Sequence, residues 1–357
     1  MTTFDPTPTR LSLSRRGLLA GGAVALGGIM AGCSPARAAT ASRPVNIGYF
    51  PNVTHAPGLV ADATGLLSRR LDAVQATPTV KSFNAGPDVI QAILSGSLDI
   101  SYIGPNPTIN AYVQSKGAGV RVIAGSTSGG ASLVVRAGIS GATDLKGKKL
   151  ATPQLGNTQD VALRYWLKSQ GLTATKDGGG DVSILPQANS AAVQAFKAGA
   201  IDGGWLPEPY ASSLLKAGGA VLVDERTLWP DGRFVTTNII VRTDFLTQHP
   251  ETVRAFLEAH LDGLDAISKD SAAAQTAVAA QIKKITSQDQ DQAILASSWK
   301  NLTFGADPLA ATLKTSADHA DAVGLLGTKP TDGFAKLWSL DQLNAALTAR
   351  GQAQVTA

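Results

Sequence analysis

Val45-Asn46-Ile47-Gly48-Tyr49-Phe50-Pro51-Asn52-Val53-Thr54-His55-Ala56-Pro57-Gly58-Leu59-Val60 is the stretch that decides the architecture. Its first six residues alternate apolar with small or polar positions, the two-residue period of a strand. Pro51 to His55 break that period. Pro57 suits the first turn of a helix, where its missing N–H is not needed, and the pattern predicts a helix reaching residue 67, with Gly65 near its end.

The same unit of strand, loop and helix recurs outward from this stretch. Val80-Lys81-Ser82-Phe83 reads as a strand, and Gly86-Pro87-Asp88 opens a helix over 89–95. Residues 98–103 form a strand that stops at Gly104-Pro105. A helix over 108–114, a strand over 120–124 and a turn-rich segment over 125–130 follow. A second set begins near Leu133. It has strands at 150–152, 182–185 and 201–205, and helices at 161–170 and 191–197. Residues 237–242 read as a strand that returns the chain, and 250–267 as a long amphipathic helix. The remainder is helical and Ala-rich, with a break at 327–333.

Alternating strands and helices predict an α/β fold with mainly parallel sheets. Two such sets, with one strand leaving near Leu133 and one returning near Ile239, predict two lobes joined by a two-strand hinge. Lobe 1 is expected over 45–133 and 238–357, and lobe 2 over 134–237. Loops from both lobes then surround one cleft.

The N-terminus reads differently. Arg15-Arg16 precede an uncharged run rich in Gly, Ala and Leu from Gly17 to Met30. That run is short against the roughly 20 residues of a spanning helix and suits the apolar core of a signal peptide. It ends at Met30-Ala31-Gly32-Cys33. Small residues before a cysteine resemble a lipobox, although Met30 stands where Leu is usual. Residues 1–32 are therefore expected to be a cleaved signal peptide, twin-arginine-like in its paired arginines. Residues 33–44 are expected to be a lipidated Cys33 followed by a flexible tether. Cys33 is the chain's single cysteine, so an intramolecular disulfide and a cysteine-based metal cluster are both excluded. Without Arg10, Arg15, Arg16 and Asp5 of the leader, 28 basic and 26 acidic residues remain, and they are scattered. That near balance gives no footprint for nucleic acid.

Four segments of the mature chain, in order, resemble the periplasmic substrate-binding proteins of ABC transporters for aliphatic sulfonates, taurine and nitrate. They are VNIGYFPNVTHAPGLV (45–60), GSLDISYIGP (96–105), DLKGK (144–148) and GWLPEPY (204–210). The resemblance runs from about residue 45 to 345. It implies the type II periplasmic-binding-protein fold, with a ligand held in an interlobe cleft. Together with the lipobox-like leader, it leads to the expectation of a lipid-anchored, extracytoplasmic monomer whose partners are a small organic anion, an ABC permease and its ATPase.

The resemblance supplies five candidate ligand groups. Asn52, Thr54 and His55 lie where the first helix begins, and a helix N-terminus offers free N–H groups and partial positive charge to an anion. An N-cap and turn is the plainer alternative. Gly104, Pro105 and Asn106 end a strand, where open α/β sheets place ligands. Ser126, Thr127, Ser128, Gly129, Gly130 and Ala131 are small residues that let backbone amides approach an oxyanion. Gly156, Asn157, Thr158 and Gln159 stand at another helix start, with Asp160 placed as in a capping box. Trp205 is a candidate cover for an apolar ligand tail or a core residue. Glu208 reads as an interlobe hydrogen-bonding residue, since it would repel an anion.

Enzymatic readings find little support. Gly125-Ser126-Thr127-Ser128-Gly129 has Thr at the centre of the G-x-S-x-G spacing. His55, His249, His260 and His319 form no metal-binding pair, and no phosphate-cradling loop is present. No metal and no cofactor is expected. The ligand expected is an aliphatic sulfonate or related organosulfur anion. Nitrate, a thiamine-pyrimidine precursor, or an enzyme on the same fold are the alternatives.

Overall fold

The computed structural model describes residues 42–357. The leader, Cys33 and most of the tether lie outside the described residues. The first sheet holds β1 (Arg43–Tyr49), β2 (Ala76–Ser82), β3 (Ile100–Ile103), β4 (Val120–Gly129), β10 (Val235–Arg242) and β11 (Leu302–Phe304), in the spatial order β11-β4-β10-β3-β1-β2. The second holds β5 (Ala131–Arg136), β6 (Lys149–Thr152), β7 (Ser183–Pro186), β8 (Gly203–Pro207) and β9 (Gly219–Asp224), in the order β7-β6-β8-β5-β9. Each sheet has a parallel part, β1 with β2 and β3 or β6 with β7 and β8, and an antiparallel part beside it. Helices flank both sheets, giving the two-lobed α/β fold that the strand pattern predicts, but the sheets are mixed rather than mainly parallel: five of the nine strand pairings are antiparallel, because β10 and β5 insert beside the parallel parts.

The opening stretch folds for simple reasons. Val45, Ile47 and Tyr49 share one face of β1 and are buried with Leu59, Val60, Val253, Phe256 and Leu257. Burial of each such side chain stabilises the fold by roughly 1.5–3 kcal/mol. The helix Pro250–Lys269 supplies much of that cover. It approaches closely because Gly263 has no Cβ; one added there would stand 2.6 Å from the Pro57 carbonyl oxygen. The expected first helix is split. A 3-10 turn (Val53–His55) leads into the helix Ala56–Ala63, Gly65 takes the left-handed conformation, and a second helix runs Leu66–Asp72.

Residues 125–129, expected as a turn, continue β4. Thr127 and Gly125 pair with β10, while Ser128 and Thr127 pair with β11. Partners distant in sequence override the turn preference of Gly and Ser here. The chain crosses from the first sheet to the second through Gly129 (φ +79°) and Gly130 (φ +73°), and returns before Val235. Both glycines occupy the left-handed region, and a Cβ on Gly130 would lie 2.1 Å from Leu302. Leu133 consequently belongs to a strand of the second sheet, and Val235 to Thr237 to one of the first. No helix among the described residues is long and apolar enough to cross a membrane.

Candidate ligand-binding cleft

A cavity of about 20 Å³ lies between the two sheets. Phe50, Asn52, Thr54, His55, Asn84, Gly104 and Thr236 line it from first-sheet elements. Pro153, Asn157, Thr158, Gln159, Asn189 and Pro207 line it from second-sheet elements. Among these described residues none is Asp, Glu, Lys or Arg. The volume suffices for about one water molecule, so the two halves are closed on each other. Gly104 shows how tightly: a Cβ there would stand 2.3 Å from the Thr158 hydroxyl across the cleft.

Helix starts converge on this space. Ala56–Ala63 begins after His55, Pro105–Gln114 after Gly104, Thr158–Ser169 after Asn157, and Asn189–Lys197 after Ala188. His55, Gly104 and Ala188 provide no side-chain cap. Pro57, Pro105 and Pro107 carry no N–H, and the Ala56 N–H is held by the Val53 carbonyl, so only part of each first turn keeps a free amide; the positive ends of these helix dipoles nevertheless lie beside an uncharged cavity. Asn157 does cap its helix, its side chain accepting from the Thr158 N–H. Two side-chain atoms at the cavity, Thr158 Oγ1 and Asn189 Oδ1, are buried with no hydrogen-bond partner. Such atoms cost stability unless something supplies the missing bond.

His55 belongs to the same donor set. Burial pushes its imidazole down to about 3, so the ring is neutral near pH 7. Its Nδ1 accepts the Phe50 N–H at 3.3 Å, which leaves the ring proton on Nε2. Phe50 lies against the ring at 4.4 Å between centroids.

Behind the second-sheet half of the cleft sits a buried ion pair. Asp160 Oδ2 accepts from Arg164 Nε at 3.0 Å and from the Gly156 N–H at 2.9 Å, and Oδ1 accepts from the Thr152 hydroxyl at 2.9 Å. The capping-box expectation is thus shifted by one residue. Asp160 reaches back past Asn157 to Gly156, whose φ of +75° forms the bend. Asp160 fixes the loop that carries Asn157 and Thr158.

Of the residues singled out from sequence, Asn52, Thr54, His55, Gly104, Asn157, Thr158 and Gln159 come together around the cavity. The others lie elsewhere. Pro105 opens its helix, and Asn106 donates to the Ser316 carbonyl at 2.9 Å, tying two helices. Ser126 and Thr127 are buried within β4, and Ser128 Oγ accepts the Phe234 N–H at 3.2 Å. Gly129, Gly130 and Ala131 form the crossing between sheets.

Trp205 is fully buried in the second lobe's core with Leu133 and Leu163. Its indole N–H donates to Glu225 at 2.7 Å, so of its two readings the core residue is the one found. Glu208 is buried, and its carboxylate accepts from the Ser212 N–H and Oγ, from Ser298 Oγ and from Asn301 Nδ2, at 2.7–3.1 Å. Ser298 and Asn301 lead into β11, so Glu208 bridges the two lobes. Asn84, Asn189 and Thr236 escaped the sequence reading. Asn84 and Asn189 carry the same signal as Asn52, a polar residue between a strand and a helix start.

The model of the NMT1-like family matches residues 38–282. The taurine-binding periplasmic protein of Escherichia coli (strain K12) is 29% identical over 224 residues, 62% of this chain. The match spans 66% of that relative, just under two thirds of its length. The alkanesulfonate-binding protein SsuA of Xanthomonas axonopodis pv. citri, bound to MOPS, superposes with a TM-score of 0.66 at 20% identity, over 81% of this chain and 96% of that one. The periplasmic nitrate-binding protein NrtA of Synechocystis PCC 6803 gives 0.68 at 17% identity, over 86% and 88%. At these identities the two structures share the fold. The family model matches more than half of the chain, including all of the second sheet, and the chain belongs to the NMT1-like family.

Proposed function

We propose that the chain is the extracytoplasmic solute-binding component of an ABC importer, and that its lobes close on a small organic anion with a sulfonate headgroup. The observation that carries this reading is the uncharged cavity where uncapped helix starts meet two partnerless side-chain oxygens. A sulfonate offers three acceptor oxygens and one delocalised charge. Amides, the Thr158 hydroxyl, the Asn189 amide in its donating orientation and His55 Nε2–H match it without a counter-ion. Each hydrogen bond to a charged acceptor contributes about 1.5–3 kcal/mol. Binding rather than chemistry is favoured, because these groups supply donors and no activated nucleophile. A single tail can extend along Phe50, Pro153 and Pro207 once the lobes part.

Isothermal titration with taurine, hexanesulfonate, sulfate and nitrate tests the ligand class. Saturable binding of a sulfonate, tighter than sulfate, is expected. Absence of heat for every sulfonate at high micromolar concentration sinks the anion reading.

The leader completes the proposal: export on the twin-arginine route, cleavage before Cys33, and anchoring through a lipid on its sulfur. Cys33→Ala is expected to move the protein from the membrane to the soluble fraction, and Lys at positions 15 and 16 to stop export. Unchanged fractionation of the Cys33 variant argues against the anchor, and normal export of the Lys variant points to the general secretory route.

A further inference from the structure

A second cavity, about 220 Å³, lies further along the helix Thr158–Ser169. Tyr165, Trp166, Glu225 and Trp229 line it from the second lobe, and His319 of the helix Ala310–Ala322 closes it from the other side. His319 stacks on Tyr165 at 3.7 Å between centroids and stands 5.4 Å from Trp229. The helix bearing His319 is tied to the first lobe through the Asn106–Ser316 hydrogen bond. The cavity therefore spans the seam between lobes, apart from the anion cleft.

Glu225 gives this space its character. Its side chain is buried and is held by the Trp205 indole N–H at 2.7 Å and by the Trp229 side chain. No Lys or Arg pairs with it among the described residues; the adjacent Arg226 turns to Asp224 instead. A buried carboxylate ordinarily has a cation beside it. Burial accordingly pushes this one up to about 7. The aromatic faces around it attract positive charge through their quadrupoles. The volume is below the roughly 300–1,000 Å³ of pockets for drug-sized ligands, so the occupant must be small.

We propose that this seam cavity is a second ligand site, which takes a small organic cation of the quaternary-ammonium class and holds it between the carboxylate of Glu225 and the rings of Trp166, Trp229 and Tyr165. The site is independent of the anion reading, because it rests on other residues and on the opposite charge. A ligand that touches both lobes is bound more tightly when they are closed. By linkage, an anion in the first cleft and a cation in the seam then raise each other's affinity by the same factor.

The test is titration of the full mature chain with choline and with 3,3-dimethyl-1-butanol, its uncharged analogue of similar shape, followed by tryptophan fluorescence and calorimetry. Choline is expected to saturate with a Kd of about 1 mM or tighter. The alcohol is expected to bind at least about 10-fold more weakly. Glu225→Gln and Trp229→Ala are each expected to weaken choline about 10-fold or more. Tyr165→Leu, at a half-buried position, is expected to do the same and serves if either of the other variants fails to fold. Equal affinity for choline and the alcohol overturns the proposal, as does a titration with no saturable signal up to about 50 mM or choline binding untouched in every folded variant. If a sulfonate binds, repeating the choline titration at saturating sulfonate is expected to tighten it; an unchanged Kd overturns the placement across the seam. If no sulfonate binds, the anion reading fails while the choline result stands alone.

Discussion

At its N-terminus the helix Thr158–Ser169 gives Thr158 and Gln159 to a cavity of about 20 Å³ with no charged side chain; farther along, it gives Tyr165 and Trp166 to one of about 220 Å³ that holds Glu225. The backbone explains much of the difference. A helix exposes unpaired N–H groups only in its first turn, so Thr158 comes with amides and a positive dipole end. Tyr165 sits two turns later, where every amide is spent within the helix. Only side chains act there, and they are π-faces and a carboxylate. One helix thus presents anion chemistry at its tip and cation chemistry along its flank.

The largest effect is expected from removing what fixes the tip. Asp160 and Arg164 are 0% and 3% exposed and bonded at 3.0 Å. Asp160→Ala strips a buried guanidinium of its partner, which costs about 3–5 kcal/mol. It also frees the Gly156 bend and Thr152. Denaturant unfolding should show a large fall in midpoint, and anion binding should be lost in whatever fraction stays folded. If affinity survives, the Gly156–Thr158 loop is not part of the anion site.

A smaller effect is expected from keeping the two halves of the tip apart. Gly104 has an ordinary φ of −74°, so Ala fits the backbone. Its Cβ would meet Thr158 Oγ1 at 2.3 Å, on a stiff β-branched side chain. Overpacking of this kind costs roughly 1–3 kcal/mol, here only in the closed form. Gly104→Ala should leave each lobe folded, weaken anion binding by about 10-fold or more, and enlarge the radius of gyration in small-angle scattering with ligand. Adding Thr158→Ala removes the clash and should restore the compact radius. An unchanged radius in the single variant shows that closure does not bring these residues together.

Sequence legibility follows the range of the interactions. β1 was legible because Val45, Ile47 and Tyr49 are buried on one face, and that alternation is local. Helix starts were legible too, and the resemblance set Asn52, Gly104 and Asn157 on them as ligand candidates; all three line the cavity. The strand over 125–129 was not, because β10 and β11 pair with it from more than a hundred residues away. Trp205 stays open between two readings for a related reason: alternation says that a residue faces one side of a sheet, not whether that side meets a core or a cleft. The seam cavity was invisible, since nothing near Tyr165 in sequence announces His319 or Glu225. Lobe borders read from strand pattern at 133 and 238 sit a few residues from the glycine crossing for the same reason.

The smallest change sharpens the comparison most, because two of its effects have opposite sign. Thr158 is 5% exposed, and its hydroxyl has no partner. Thr158→Val keeps the shape and deletes the oxygen. In the ligand-free protein this relieves a buried polar atom left unsatisfied, so stability should stay level or rise by about 1 kcal/mol. With an anion bound, the same change removes one donor, and affinity should fall about 10-fold, the equivalent of about 1.4 kcal/mol. Choline binding at the flank should not move, since Thr158 lies outside that cavity. A variant that is less stable and binds a sulfonate as tightly as before places the hydroxyl in the fold rather than on the ligand, and the tip of the helix then owes its anion chemistry to backbone amides alone.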